Sequence, residues 1–426
     1  MEVQVQGSVA TMKRPPARAK ASAATRPVLR FNTLDYAVIP GFLLIEVGLS
    51  YWVSFATLFA VFLAWRWRDV IWAGLSSLPL FVFVPPLFFM ALLIEPTTDL
   101  TQDVLHICRE AMFWLLLCAM LEGLKKFTIE IDQKKLGKIL FLMAVFVLLL
   151  CVYQFRQYSV GVYFGIPKEY FSQGQGTIAG DLDLAYSHLR PSATLAEPSY
   201  LAFILISILF FTKFFEFPGG IAPLTSAIFI ITGFLSQSMS FVMFLAGLTG
   251  LALYTQPRFA RYRAPATLIG SVVLLVLITG AAAFLSDTRL AKFGSTSDTS
   301  TFARIVGPLI SLPEFFAIHP FGTLSTTMTD MLEYFTSPYG MSGEEWTHNF
   351  LFNAIFLYGL GGIFILYFLL KGRGLVPASY IFSCMFFNGG MLNPDKFSVM
   401  SVSFIIFKAL GDLKAPNQMA IKRTST

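Results

Sequence analysis

Eleven apolar stretches follow one another along this chain, separated by shorter polar segments: residues 37–65, 70–94, 104–124, 139–155, 198–215, 221–236, 240–255, 266–285, 348–370, 375–391 and 397–410. A helix crosses the ~30 Å hydrocarbon core of a bilayer with about 20 apolar residues, and only helices and closed barrels satisfy their backbone there. The pattern predicts an all-α polytopic membrane protein. Stretch 37–65 is long for one span and short for two. Counted as two, it brings the total to about 12 transmembrane helices; the alternative is a re-entrant hairpin. The chain is 55% apolar and 13% charged, against about 25% charged in a soluble domain. That deficit excludes a soluble enzyme, a nucleic-acid-binding domain and a disordered protein. Cys108, Cys118, Cys151 and Cys384 lie in apolar stretches without a CxxC spacing, so they read as small buried hydrophobes.

The basic residues sort the breaks by side. Clusters occur in residues 1–34 (Lys13, Arg14, Arg18, Lys20, Arg26, Arg30), at Arg66/Arg68, at Lys125/Lys126/Lys134/Lys135/Lys138, at Arg258/Arg261/Arg263, at Lys371/Arg373 and after residue 407. One topology puts all of them in the cytoplasm, with both termini inside. Residues 1–34 are then a disordered basic cytoplasmic tail, 35–410 the membrane domain and 411–426 a second cytoplasmic tail. Two long loops, about 156–197 and 286–347, fall outside. The second is net negative: Arg289, Lys292 and Arg304 face Asp287, Asp298, Glu314, Asp330, Glu333, Glu344 and Glu345. Both are too long to be connectors, and long loops on a rigid scaffold carry function.

The first loop ends in His188-Leu-Arg190-Pro-Ser-Ala-Thr-Leu-Ala-Glu197-Pro198-Ser199-Tyr200, directly before a span. Glu197 falls near a helix N-cap, where the dipole favours a carboxylate. Simple capping by Glu197 and headgroup anchoring by Arg190 are the plainer readings. In the second loop, residues 301–318 are apolar around Ile305, Leu309, Leu312 and Phe316, which predicts an amphipathic helix presenting Arg304. His319, before Pro320, reads as a turn residue. His348 and Asn349 open the next span, where a neutral imidazole is available near pH 7. Inside 104–124, His106, Arg109 and Glu110 share a helix face with Asp103 one turn away. Charges at that depth cost roughly 3 kcal/mol and face a cavity or a partner. An internal Arg–carboxylate pair and a substrate contact both fit. No Gly-rich phosphate loop, HExxH or GxSxG occurs, and no spacing supports a metal site.

The order of these elements over residues 186–370 resembles the bacterial O-antigen polymerase/ligase (Wzy–WaaL) superfamily. The resemblance is carried by Arg190-Pro-Ser-Ala-Thr-Leu-Ala-Glu197-Pro198-Ser199-Tyr200, Ser236-Gln-Ser238, Ser300-Thr-Phe-Ala-Arg304, His319-Pro320-Phe-Gly322 and His348-Asn349…Tyr358-Gly359-Leu-Gly-Gly362. Family members often carry Arg after the Ser-x-Ser segment. Here that position is Met239, so the contact is missing or supplied elsewhere, by Arg109 or Arg289. The Glu197-Pro198-Ser199 version looks more like exopolysaccharide polymerases than ligases.

The resemblance implies a metal-independent glycosyltransferase of the bacterial inner membrane without a cofactor. It would polymerise repeat units from an undecaprenyl-pyrophosphate-linked oligosaccharide. The partners implied are that donor, the growing polysaccharide, the bilayer and a chain-length regulator (co-polymerase), with no nucleic acid. Arg190 and Arg304 would hold the pyrophosphate, with Arg109, Asn349 and Arg289 as further substrate contacts. His348 would be the catalytic base, with Glu197 the alternative. An O-antigen ligase acting on lipid A core and a lipid-linked oligosaccharide flippase are the competing readings. A transporter should show interrupted spans and midplane ionisable groups, whereas the polar groups here are expected at the outer face.

Overall fold

The structure is a computed structural model that describes residues 26–49, 53–76, 85–95, 99–162, 190–214, 221–256, 307–324, 349–387 and 392–424, with 164–166 and 170. Arg289, Arg304, His348, the stretch 266–285 and most of both long loops lie outside the described residues, as does most of the basic tail.

The described chain is mostly helical. Strand β1 (Val28–Arg30) leads into α1 (Thr33–Gly41) and a 3-10 turn (Phe42–Leu44), followed by α2 (Phe55–Arg66) and α3 (Arg68–Leu75). Short α4 (Pro85–Phe88) and α5 (Met90–Ile94) precede α6 (Leu100–Gly123), β2 (Thr128–Glu130) and α7 (Gln133–Ser159). Then come α8 (Pro198–Phe214), α9 (Ile221–Leu235), α10 (Met239–Thr255), α11 (Gly307–Ile318), α12 (Phe350–Leu370), α13 (Leu375–Met385) and α14 (Pro394–Thr424). The β1–β2 pair is parallel, with Leu29 opposite Ile129; with an isolated antiparallel bridge between Gly48 and Ser54 it departs from an all-α fold.

Helix starts follow their capping residues. Asn32 and Asp35 form a capping box on α1. Ser54, Asp99, Asp132 and Asn349 accept hydrogen bonds from the first-turn amides of α2, α6, α7 and α12, which satisfies N–H groups that no helix can pair internally.

Among the described residues, three helices are long and apolar enough to cross a membrane: Leu100–Lys126, Gln133–Ser159 and Phe350–Leu370. Their burial fits solvation by lipid. On α12, Leu360, Ile363, Phe364 and Tyr367 form an exposed stripe at i, i+3, i+4 and i+7, and on α7 Leu142, Phe146, Leu149 and Tyr153 form one at i, i+4, i+7 and i+11. In water such stripes would have to be covered. Helix α8 is instead buried at every position from Ser199 to Phe211 and forms the bundle centre. There Tyr380 on α13 bonds Ser207 on α8 and Ser403 on α14, at 3.0 and 2.9 Å.

Several spans are shorter than their apolar stretches suggest. Stretch 37–65 is a hairpin whose arms, Thr33–Leu44 and Phe55–Arg66, each rise about 18 Å, short of a full crossing. Stretch 70–94 holds α3, α4 and α5 among the described residues; α4 opens on Pro85 and Pro86, which a helix accepts in its first turn but not in its interior. Helix α14 runs past residue 410 through the segment read as a tail. Helix α11 exists, but of its described side chains Pro308, Ser311 and Phe315 are buried, as is His319 just past its end, with Leu309 exposed. Its sequence is apolar nearly all round, so the pattern misplaces the stripe by one residue.

Among the described residues, one end of the bundle collects Arg30, Arg66, Lys125, Lys126 and Arg373. Arg66 donates to the Arg30 carbonyl at 2.8 Å and pairs with Asp35 at 3.1 Å. Lys126 donates to the Ala73 carbonyl, and Lys125 and Arg373 both approach Glu122. Close backbone contact between α3 and α6 sets this end: a Cβ on Gly74 would overlap the Ala119 carbonyl, and one on Gly123 the Val70 carbonyl. Small residues at four-residue spacing permit such approach between membrane helices.

Candidate functional site

At the opposite end, the segment from Arg190 to Tyr200 is held from three sides. Gln154, buried near the end of α7, donates to the carbonyls of Ala193 (2.7 Å) and Phe164 (3.0 Å) and accepts from the amides of Ser192 (3.1 Å) and Ala193 (2.9 Å). Thr194 donates to the Leu43 carbonyl, and the Ala196 amide donates to Glu46 Oε2 at 2.8 Å. Ala193 has φ +56°, a left-handed conformation that costs a non-glycine residue about 1–2 kcal/mol. Such strain persists only where the surroundings over-determine it, and it gathers at functional sites. Gln237, inside Ser236-Gln-Ser238 between α9 and α10, shares it with φ +50°.

Glu197 follows at the mouth of α8, half-buried, accepting from Ser199 Oγ at 2.9 Å. Around it lies a charged cluster that is buried except for Arg109. Glu46, Asp395 and Lys396 are all buried. Lys396 is within electrostatic reach of Asp395, Glu46 and Glu197, and Asp395 is within reach of Arg109. Lys396 Nζ lies 3.9 Å from the Phe203 ring centroid and 4.6 Å from that of Tyr200, with no hydrogen-bond partner among the described residues. Cation–π contact and the nearby carboxylates compensate a charge that would otherwise be expensive to bury.

A second polar region lies deeper, where α12 is interrupted. Gly359 adopts φ +53°, ψ −129° inside the helix. The freed backbone is satisfied by the loop after α11: the Leu360 amide donates to the Pro320 carbonyl at 3.0 Å, and the Thr323 amide to the Phe356 carbonyl at 2.9 Å. Gly322, at φ +88°, packs its α-carbon against the Leu357 carbonyl. Non-helical backbone at membrane depth is tolerated only where it is buried in protein or lines a cavity. A small cavity does adjoin it, lined in part by His106, Thr323, Leu357 and Tyr358. Tyr358 donates to Glu110 Oε2, and His106 Nε2 lies 3.5 Å from Glu110 Oε1. Beside it, His319 Nδ1 lies 2.8 Å from Glu95 Oε1.

The described geometry therefore joins motifs far apart in sequence. The colanic acid polymerase (WcaD) family matches residues 36–409. The chain belongs to this family. Comparison with curated proteins returned no match. As a WcaD family member it is a polysaccharide repeat-unit polymerase.

Of the residues that the sequence singles out in this polymerase, Glu197 lies with the strained segment opened by Arg190, which is half-buried. Arg109 is exposed beside the buried Glu110. Among the described residues Glu110 pairs with His106 and Tyr358 rather than with Arg109, so the stripe divides between an outward cation and inward polar groups. Asn349 is buried, and its Oδ1 caps α12 through the Phe352 amide at 3.0 Å. Glu46, Lys396 and Glu95 are absent from the sequence reading. The available signal was isolation: Glu46 is the only charged residue within 37–65 before the cluster at Arg66, and a lone charge in an apolar stretch is a site hypothesis by default.

Proposed function

We propose that the polymerase joins oligosaccharide repeat units carried on undecaprenyl pyrophosphate at the periplasmic face of the bacterial inner membrane, without a metal or cofactor. The observation that carries this reading is the family match over residues 36–409; the strained, three-sided clamp on Arg190–Tyr200 supports the location. The acceptor sugar's hydroxyl attacks the anomeric carbon of the donor. The C–O bond to pyrophosphate breaks, the hydroxyl proton passes to a base, and undecaprenyl pyrophosphate leaves. Arg190 and Arg304 hold the pyrophosphate, because a guanidinium fork binds two phosphate oxygens at once. Arg109, Arg289 and Asn349 supply further substrate contacts. His348 is the base, with Glu197 the alternative. The growing polysaccharide and a chain-length regulator are its partners. The interrupted α12 is the kind of break that transporters use and departs from the expectation that polar groups stay at the outer face. Family membership nonetheless favours the enzyme.

Two experiments test this reading. Arg190→Lys and Arg304→Lys keep the charge but lose the fork, and each should lower polymer yield about tenfold or more while membrane levels stay constant. Unchanged yield from both variants contradicts the bidentate role. With the native cysteines removed, Cys introduced at Gly174 or Ser337 should react with an impermeant maleimide in intact cells. Reaction only after lysis overturns the proposed sidedness.

A further inference from the structure

Buried polar atoms in proteins are almost always paired, and an exception calls for a ligand, a water or a catalytic role. His319 Nε2 is such an exception. It is buried and has no hydrogen-bond partner among the described residues, while the other ring nitrogen faces Glu95 at 2.8 Å. A carboxylate only accepts, so Nδ1 carries the proton in that bond. In the neutral ring Nε2 then presents a lone pair. The arrangement in which a carboxylate fixes the tautomer and leaves the far nitrogen open suits a group that takes hydrogen bonds from hydroxyls.

The ring is also held rigidly. Its amide donates to the Phe315 carbonyl at 2.7 Å and its carbonyl accepts from Gly322. The turn that follows is locked onto the break in α12 through Pro320, Thr323 and Gly359. Thr323 and Leu324, four and five residues on, line the cavity that His106 and Tyr358 also line. Substrate-positioning groups need this kind of fixed mounting.

We propose that the Glu95–His319 dyad is a glycan-binding site of the polymerase, in which His319 Nε2 accepts a hydrogen bond from a sugar hydroxyl of the repeat unit. This rests on the reading of the chain as a repeat-unit polymerase. The chemistry favours a neutral sugar over the donor's phosphates, because Glu95 and Glu110 place two carboxylates beside this region, whereas Arg109, the cation within electrostatic reach of His106 and Tyr358, is exposed.

The test uses the full-length purified protein with a synthetic lipid-linked repeat unit, measuring KM, kcat and membrane accumulation. His319→Leu should raise KM about tenfold or more with normal accumulation, whereas His319→Gln, whose amide oxygen still accepts, should recover part of the loss. Glu95→Gln should show a smaller increase in KM, because an amide still accepts from Nδ1–H. If His319→Leu leaves KM and kcat at wild-type values, the dyad is not a substrate site. If His319→Leu fails to accumulate, Glu95→Gln decides through KM: a wild-type KM overturns the proposal. A Glu95→Leu/His319→Leu double variant with full accumulation and wild-type KM would make the dyad a structural pair. Failure of the wild-type protein to form polymer would instead remove the underlying functional reading.

Discussion

Replacing Gly359 by valine is expected to abolish accumulation of the folded protein in the membrane. At φ +53°, ψ −129° the backbone is in a region that L-residues avoid, and a β-branched side chain suffers most. Strain of that kind costs of order 1–3 kcal/mol. Steric overlap adds to it, because a Cβ at this position would overlap the Pro320 carbonyl and the Gly322 amide. Moving the loop away would free the Leu360 amide and the Phe356 carbonyl, whose partners are Pro320 and Thr323. Unpaired backbone groups in hydrocarbon cost several kcal/mol each. Together these terms match or exceed the 5–15 kcal/mol that typically holds a folded protein. Gly359→Ala should be less severe but still well below wild type. Membrane-fraction immunoblots and thermal stability in detergent read both. Normal accumulation of the valine variant would show that the break in α12 is not required.

His348→Ala should leave accumulation and donor binding intact while lowering turnover about a hundredfold, the lower end of what general-base assistance contributes. The attacking sugar hydroxyl is a very weak acid, so the base need only receive its proton as the new bond forms. The sequence places His348 directly before the Asn349 cap of α12, and near a helix start a neutral imidazole, the form that can accept a proton, is the one expected. Glu197 stands directly before α8, where it accepts a hydrogen bond from Ser199 Oγ, and is the alternative base. Single-turnover assays with the lipid-linked repeat unit measure the loss. Normal turnover in His348→Ala moves the assignment to Glu197, for which Glu197→Gln is then the test.

Much of this architecture is legible in the sequence because it depends on local pattern. The spans that became α6, α7 and α12 are long and uniformly apolar, and Asp99, Asp132 and Asn349 mark their starts. The segment Arg190–Tyr200 stands out by composition. What the sequence does not reveal is contact across distance. His319-Pro-Phe-Gly322 and Tyr358-Gly359 are recognisable as separate motifs, yet nothing in their spacing shows that each supplies the other's missing hydrogen bonds. Glu95 and His319 are 224 residues apart, so their pairing exists only in the tertiary fold, and His319 alone reads as a turn residue. Lys396 is similarly hidden, as a cation at the foot of an apolar stretch looks like an interfacial anchor until Phe203 and Tyr200 are seen against it. The face of α11 is misread for a simpler reason: where nearly every position is apolar, periodicity carries no information.

The most direct measurement of the central claim is polymer formation by the purified protein in liposomes supplied with a synthetic undecaprenyl-pyrophosphate-linked repeat unit and no divalent metal. The account predicts a ladder of glycans lengthening by one repeat unit at a time, with release of undecaprenyl pyrophosphate in equal number to the linkages formed. Intact donor moved across the bilayer without any new glycosidic bond would contradict it.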